Sequence, residues 1–165
     1  MNVAARADGP DPAVIEWQWS AFEDLPVADL YAVLGLRQEV FVVEQDCIFP
    51  DIDGADPQAF HLLGWHGRGT ERMLVAYLRC LQAGVKFTEC SIGRIVSAPS
   101  VRGRGIGRLL VAEGLRRTAA RFPGQPIRIG AQQHLEQFYA GFGFETASAP
   151  YSEDNIMHIE MLRTA

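Results

Sequence analysis

The sequence predicts a mixed α/β sheet with helices packed on it. Two observations predict this class. Short runs alternate apolar and polar residues, while two longer stretches repeat apolar residues at helical spacing. The early elements read as strands, and the later ones as strand, helix, strand, helix, strand, an order that builds a layered α/β unit.

The elements follow in chain order. Ile15, Trp17 and Trp19 alternate within 14–22, a half-buried strand pattern. Pro26 opens a helix, where its missing N–H costs nothing, and Leu30, Val33, Leu34, Val40 and Phe41 carry the helical stripe to about Glu44. The stretch 47–57 holds Pro50, Asp51, Asp53, Gly54, Asp56 and Pro57 and reads as a loop with room for one helical turn. Strands over 60–65 and 73–81 are joined by Gly67-Arg68-Gly69. A strand over 87–97 ends before Pro99, and a helix follows over about 105–121. Val111, Leu115, Ala119 and Phe122 form its stripe. Pro123, Gly124 and Pro126 break that helix. A strand over 126–131, a short helix over 135–142, and strands over 144–149 and 156–162 close the chain.

The chain has 165 residues, enough to fold as one unit, and its 48% apolar and 21% charged residues are ordinary for a soluble globular protein. Residues 1–13 read as a disordered tail and 14–165 as a single domain. The net charge of −5 argues against nucleic acid or a membrane surface as partner. No run is long and apolar enough for a bilayer, and the N-terminal stretch lacks the apolar core of a signal peptide. Cys47, Cys80 and Cys90 are odd in number and widely spaced, so they read as reduced thiols. A cytoplasmic location follows.

Against this acidic background, the segment Arg102-Gly103-Arg104-Gly105-Ile106-Gly107-Arg108 concentrates positive charge between a strand and a helix. Glycines there leave backbone N–H groups unscreened and permit positive φ. The N–H groups opening a helix lack intrahelical partners and sit at the positive end of its dipole, so the turn suits a phosphate or pyrophosphate. Arg102, Arg104 and Arg108 can add charge-assisted bonds. Two known phosphate loops do not fit. A Walker loop needs Gly-Lys-Ser/Thr where Arg108-Leu109 stands, and a dinucleotide fingerprint counted from Gly103 needs glycine at Arg108.

Arg102, Gly105 and Gly107 instead match the Arg/Gln-x-x-Gly-x-Gly/Ala signature of the GNAT acetyltransferase superfamily, with a strand before and a helix after. Gln132 and Phe138-Tyr139-Ala140-Gly141-Phe142-Gly143-Phe144 resemble that family's closing segment, although Gln132 stands where asparagine is usual. Within the superfamily, the segments 36–47, 50–54, 61–63 and 151–159 resemble the ElaA-type subfamily. The resemblance covers about 14–163 and implies the acyl-CoA N-acyltransferase fold: a central mixed, mostly antiparallel sheet of about six or seven strands with helices on both faces.

The resemblance also implies a reaction. Acetyl-CoA would be the co-substrate. Its pyrophosphate would lie on Arg102, Gly103, Arg104, Gly105, Ile106, Gly107 and Arg108, its pantetheine arm along Ile95, Val96 and Ser97, with Gln132 and Phe138 beside it. An amine of a small molecule or peptide would attack the thioester directly, and Tyr139 would be the general acid, although its apolar helical stripe with Leu135, Phe138 and Phe142 equally suits core packing. In some members the base is a glutamate on the strand before the loop. Ser91 holds that position here, with Glu89 two residues earlier on the same face, and Glu44 and His61 fall in segments expected on the acceptor side. A homodimer is common among such proteins. Alternative readings are a non-catalytic acyl-CoA-binding or sensing module, and acyl transfer to another acceptor, as in the homoserine lactone synthases.

Other constellations carry less. Asp51, Asp53 and Asp56 hint at a calcium loop, but Leu62 stands where its twelfth-position glutamate belongs. These acids read as turn caps, or as an acidic wall that attracts a cationic acceptor. His61, His66, His134 and His158 show no ligand spacing, so no metal site is expected.

Overall fold

The computed structural model describes residues 14–165, and the predicted tail over 1–13 lies outside the described residues. Strands β1 (Glu16–Ala21), β2 (Ala59–His66), β3 (Met73–Leu81) and β4 (Cys90–Ser97) form an antiparallel run. Strand β5 (Ile127–Gln132) lies parallel to β4, and β8 (Ile156–Arg163) returns antiparallel to β5. The short strands β6 (Glu145–Thr146) and β7 (Tyr151–Glu153) both pair with β8, giving an eight-stranded sheet.

Helix α1 (Val27–Arg37) covers one face, and α2 (Ile106–Arg121) and α3 (Glu136–Ala140) cover the other. Strand alternation divides the core accordingly. Leu62, Leu78, Ile92, Ile129 and Met161 meet Ile106, Leu110 and Val111 of α2. Leu63, Trp65, Tyr77 and Val96 point the other way, toward Val33, Leu36 and Val40. Each fully buried aliphatic side chain of this kind contributes about 1.5–3 kcal/mol. The α2 contact is close. A Cβ at Gly114 would stand 2.6 Å from Leu78 Cδ1, so a larger residue there would have to push the buried Leu78 side chain aside.

The structure corrects three boundaries. The first helix keeps α geometry only to Arg37 and continues as a π-helical turn over Gln38–Glu44. The strand expected from Phe87 begins at Cys90, because 82–89 folds into turns closed by a 2.7 Å bond from the Gly84 N–H to the Phe87 carbonyl. The strand expected over 144–149 shrinks to Glu145–Thr146. Near its end the Glu160 N–H donates to the Ser148 hydroxyl instead of a ladder carbonyl, and Pro150 has no N–H to offer.

Candidate active site

Strands β4 and β5 pair only at Cys90↔Ile127 and Ser91↔Arg128. Beyond those residues the ladder stops, and a gap opens toward Ser97 and Gln132. A bulge in β4 accompanies it. Tyr77 pairs with Val96 and Arg79 with Gly93, so Leu78 alone faces both Arg94 and Ile95. Arg94 takes φ +50, a left-handed conformation that costs a non-glycine residue on the order of 1–2 kcal/mol. Such bulges re-aim side chains and end pairing. Ile95, Val96 and Ser97 thus border the gap, held on their other edge by β3.

The glycine turn follows β4 directly. Gly103 has φ +74 and Gly105 φ +80, both in the region that penalises a Cβ. Gly105 caps α2. The turn's own backbone bonds run from Arg102 N–H to the Pro99 carbonyl, and from Arg108 and Leu109 N–H to the Gly105 carbonyl. Among the described residues, none uses the N–H of Gly103, Gly105, Ile106 or Gly107. Among the described residues, a Cβ at Gly103, Gly105 or Gly107 would meet no atom within 4 Å. Arg108 stacks over Phe138 and Phe142 at 5.8 and 5.4 Å, which fixes α3 against the start of α2.

The π-helical turn reaches the same place from the other side. Glu44 accepts a 2.7 Å bond from Arg102, and the Gln132 amide donates to Gln45 Oε1 at 3.3 Å across the open end of the gap. The Gln45 contact is not legible from the sequence, because a π turn shifts side-chain directions away from the α-helical pattern.

Tyr139 lies on α3 with its ring buried against Phe138 and Phe144. Burial pushes its phenol up to about 12, and among the described residues nothing hydrogen-bonds its hydroxyl. The three carboxylate and imidazole groups considered as bases are all engaged. Glu44 pairs with Arg102 at the mouth of the gap, through a half-exposed bond that an anion on Arg102 would release. Glu89 stands before the first residue of β4, at the strand end opposite the glycine turn, roughly 25 Å away by strand rise. Two bonds from Arg128, at 2.8 and 2.9 Å, hold its carboxyl down at about 2. His61 is fully buried, with the Tyr77 hydroxyl 2.8 Å from Nδ1 and the Asp56 carbonyl 3.1 Å from Nε2, and burial lowers its pKa. The structure brings none of Glu89 and His61 to the gap.

The acidic loop is not a wall facing solvent. Asp51, Asp53 and Asp56 bind Arg37, Arg79 and Arg94 in a charge-balanced cluster. Arg37, fully buried, reaches Asp51 and Asp56 at 2.8 Å each and the Asp51 carbonyl at 2.8 Å. Burial alone would raise the Asp53 and Asp56 carboxyls. Hydrogen bonds from Arg79 and Arg37 outweigh it and leave both below the ordinary range. These arginines lie on three different elements, α1, β3 and β4, so sequence spacing gives no sign of the cluster.

Residues 70–165 match the family model of the acetyltransferase (GNAT) domain. ElaA of Escherichia coli is 41% identical over 152 residues, covering 91% of this chain and 97% of that protein. The chain belongs to the GNAT acetyltransferase family. Within it, the ElaA-type subfamily is its place. The crystal structure of E. coli ElaA superposes with a TM-score of 0.83 over 90% of this chain and 99% of ElaA. A crystal structure of an acyl-CoA N-acyltransferase from Pseudomonas aeruginosa, 37% identical, gives 0.85 over 91% of this chain and 99% of its own. This GNAT protein therefore has the acyl-CoA N-acyltransferase fold and is an acyltransferase. An aminoglycoside 6'-N-acetyltransferase complexed with coenzyme A, 16% identical with a TM-score of 0.63, shares the fold. Among the described residues, no helix is long and apolar enough to cross a membrane.

Proposed function

We propose that this chain moves an acetyl group from acetyl-CoA to a primary amine of a small molecule or peptide by direct attack. The observation that carries the reading is the gap between β4 and β5 with the glycine turn at its mouth. An extended arm laid against Ile95, Val96 and Ser97 can pair with strand edge that β5 leaves unused. At the end of that arm a pyrophosphate meets the amides of Gly103, Gly105, Ile106 and Gly107. Arg102, Arg104 and Arg108 supply countercharge, with Phe138 and Gln132 flanking the arm. Arg102 then exchanges Glu44 for phosphate. Their present pair is half exposed and worth at most about 1 kcal/mol, so the exchange is easy.

Acetyl-CoA supplies the acyl thioester. Tyr139 supplies a hydrogen bond to the departing sulfur. A phenol near 12 stays protonated at neutral pH, which a donor requires. Complete transfer to a thiolate whose thiol has a pKa of about 8.5 is uphill, so the phenol acts chiefly by stabilising charge.

The test is release of free thiol from acetyl-CoA by the purified protein with n-butylamine, benzylamine, agmatine and a lysine-bearing peptide. Turnover above hydrolysis with one of them is expected, and its absence with all four refutes the amine reading. A second reading is favoured by Ser91, which stands where some relatives carry a glutamate base: a non-catalytic acyl-CoA-binding module. It predicts a melting temperature that climbs with acetyl-CoA concentration and no thiol release.

A further inference from the structure

We propose that His158 is the proton acceptor for the attacking amine, directly or through one water, an assignment that rests on the acetyl-transfer reading above. His158 is the register partner of Gln132, the last residue of β5 at the open end of the gap. Cross-strand partners share a sheet face. That face is opposite the α2 core, where Ile129, Ala131, Ile159 and Met161 are buried. It is also the face from which Gln45 reaches Gln132. Tyr139 belongs to the α2 side. A thioester in the gap would thus meet its hydrogen-bond donor from one face and His158 from the other, which matches a sulfur and an amine leaving and arriving on different sides.

The imidazole is set for this task. Its Nδ1 lies 2.8 Å from the Ile156 carbonyl, and a carbonyl can only accept, so Nδ1 carries the proton and Nε2 the lone pair. The ring stacks on Tyr151 at 6.0 Å and 26°, which fixes its orientation. It is half-buried, and among the described residues nothing occupies Nε2. This differs from His61, whose two nitrogens are both taken. The charged and titratable groups on this face include Lys86, whose Nζ lies with the Tyr151 hydroxyl beside Gly130. Tyr151 faces His158 from β7. On β8 itself Glu160 shares its face but is tied to Arg128 at 2.9 Å. On β5 its neighbour is the neutral Gln132. The turn Gln133–Leu135 beside β8 carries His134, and Glu153 ends β7.

The step balances simply. The neutral amine's lone pair forms the C–N bond to the thioester carbonyl carbon. The proton made acidic by that bond passes to Nε2. The C–S bond breaks with its electron pair on sulfur, which takes a proton under the Tyr139 hydrogen bond. That proton is the one the imidazolium gives up through water, so the products are an amide, coenzyme A thiol and a neutral His158.

Wild type, His158→Gln and His158→Ala are assayed for thiol release with the same four amines, and for the melting shift that acetyl-CoA produces. We expect kcat/KM to fall about 100-fold or more in both variants, the scale of general base catalysis, with the acetyl-CoA melting shift unchanged. The ascending limb of the pH profile should vanish in His158→Gln, and imidazole should restore turnover to His158→Ala. If wild type turns over and the variants keep both its limb and its rate, or lose rate without imidazole rescue, the assignment falls while acetyl transfer stands. If wild type is stabilised by acetyl-CoA and acetylates none of the amines, both fall together.

Discussion

Replacing Gly105 and Gly107 one at a time separates a backbone that merely turns from one that cradles an anion. Gly105 sits at φ +80, so Gly105→Ala must either hold a strained left-handed residue, at about 1–2 kcal/mol, or relax and re-aim the neighbouring amides. A hydrogen bond to a charged group contributes about 1.5–3 kcal/mol, so misdirecting one amide costs roughly 10- to 100-fold in affinity, at about 1.4 kcal/mol per decade. Gly107 lies inside α2 without positive φ, and among the described residues a Cβ there meets nothing within 4 Å. The signature itself admits alanine at this position. Gly107→Ala should therefore keep coenzyme A affinity within about threefold while gaining up to about 1 kcal/mol of helix propensity. Isothermal titration with coenzyme A measures the first quantity and thermal unfolding the second. Equal affinities for wild type and Gly105→Ala, or equal losses in both variants, would refute the cradle.

Three further outcomes are expected. Tyr139→Phe keeps the ring packing against Phe138 and Phe144, so turnover should fall well over tenfold with the KM for acetyl-CoA nearly unchanged; equal loss of both would assign the residue to packing. Arg37→Met leaves Asp51 and Asp56 buried with one arginine fewer, a loss of about 3–5 kcal/mol that should lower the melting temperature by on the order of 10 °C. Stability should be level from about pH 7 to 8 and decline above about 8.5, because unfolded Cys80 and Cys90 lose thiol protons that burial makes the folded thiols keep. Below about 6.5 it should decline gently, because unfolded His61 gains a proton that the buried ring resists, and below about 4 more steeply, because unfolded Asp53 and Asp56 protonate first. Melting curves across pH read this directly, and His61→Phe should remove the upper part of the acid-side decline.

Strand and helix identities were legible because alternation and helical spacing are local properties. The glycine turn was legible too, since an amide array before a helix needs small residues and says so in consecutive positions. The base was not. His158 earns attention through a bond to Ile156 and a strand pairing with Gln132, and neither leaves a spacing in the sequence. The aspartates at 51, 53 and 56 misled for the same reason: their partners, Arg37, Arg79 and Arg94, are 14 or more residues distant. A run of acids looks solvated until the fold delivers its counterions.

That cluster also connects the core to the gap. Buried ion pairs seldom stabilise a fold more than apolar residues of the same volume would, so position is their clearer consequence. Arg37 ends α1 where the π turn begins, Arg79 and Arg94 lie on adjacent strands, and all three clamp the loop over 51–56. The chain between these anchors carries Glu44 to Arg102 and Gln45 to Gln132. Arg94 serves twice. Its left-handed backbone forms the bulge beside the gap, and its guanidinium binds Asp51 and Asp53 while lying over Phe49. The distortion that accompanies the opening between β4 and β5 and the bonds that hold the loop over 51–56 thus meet in one residue, which ties the shape of the gap to the placement of the groups that border it.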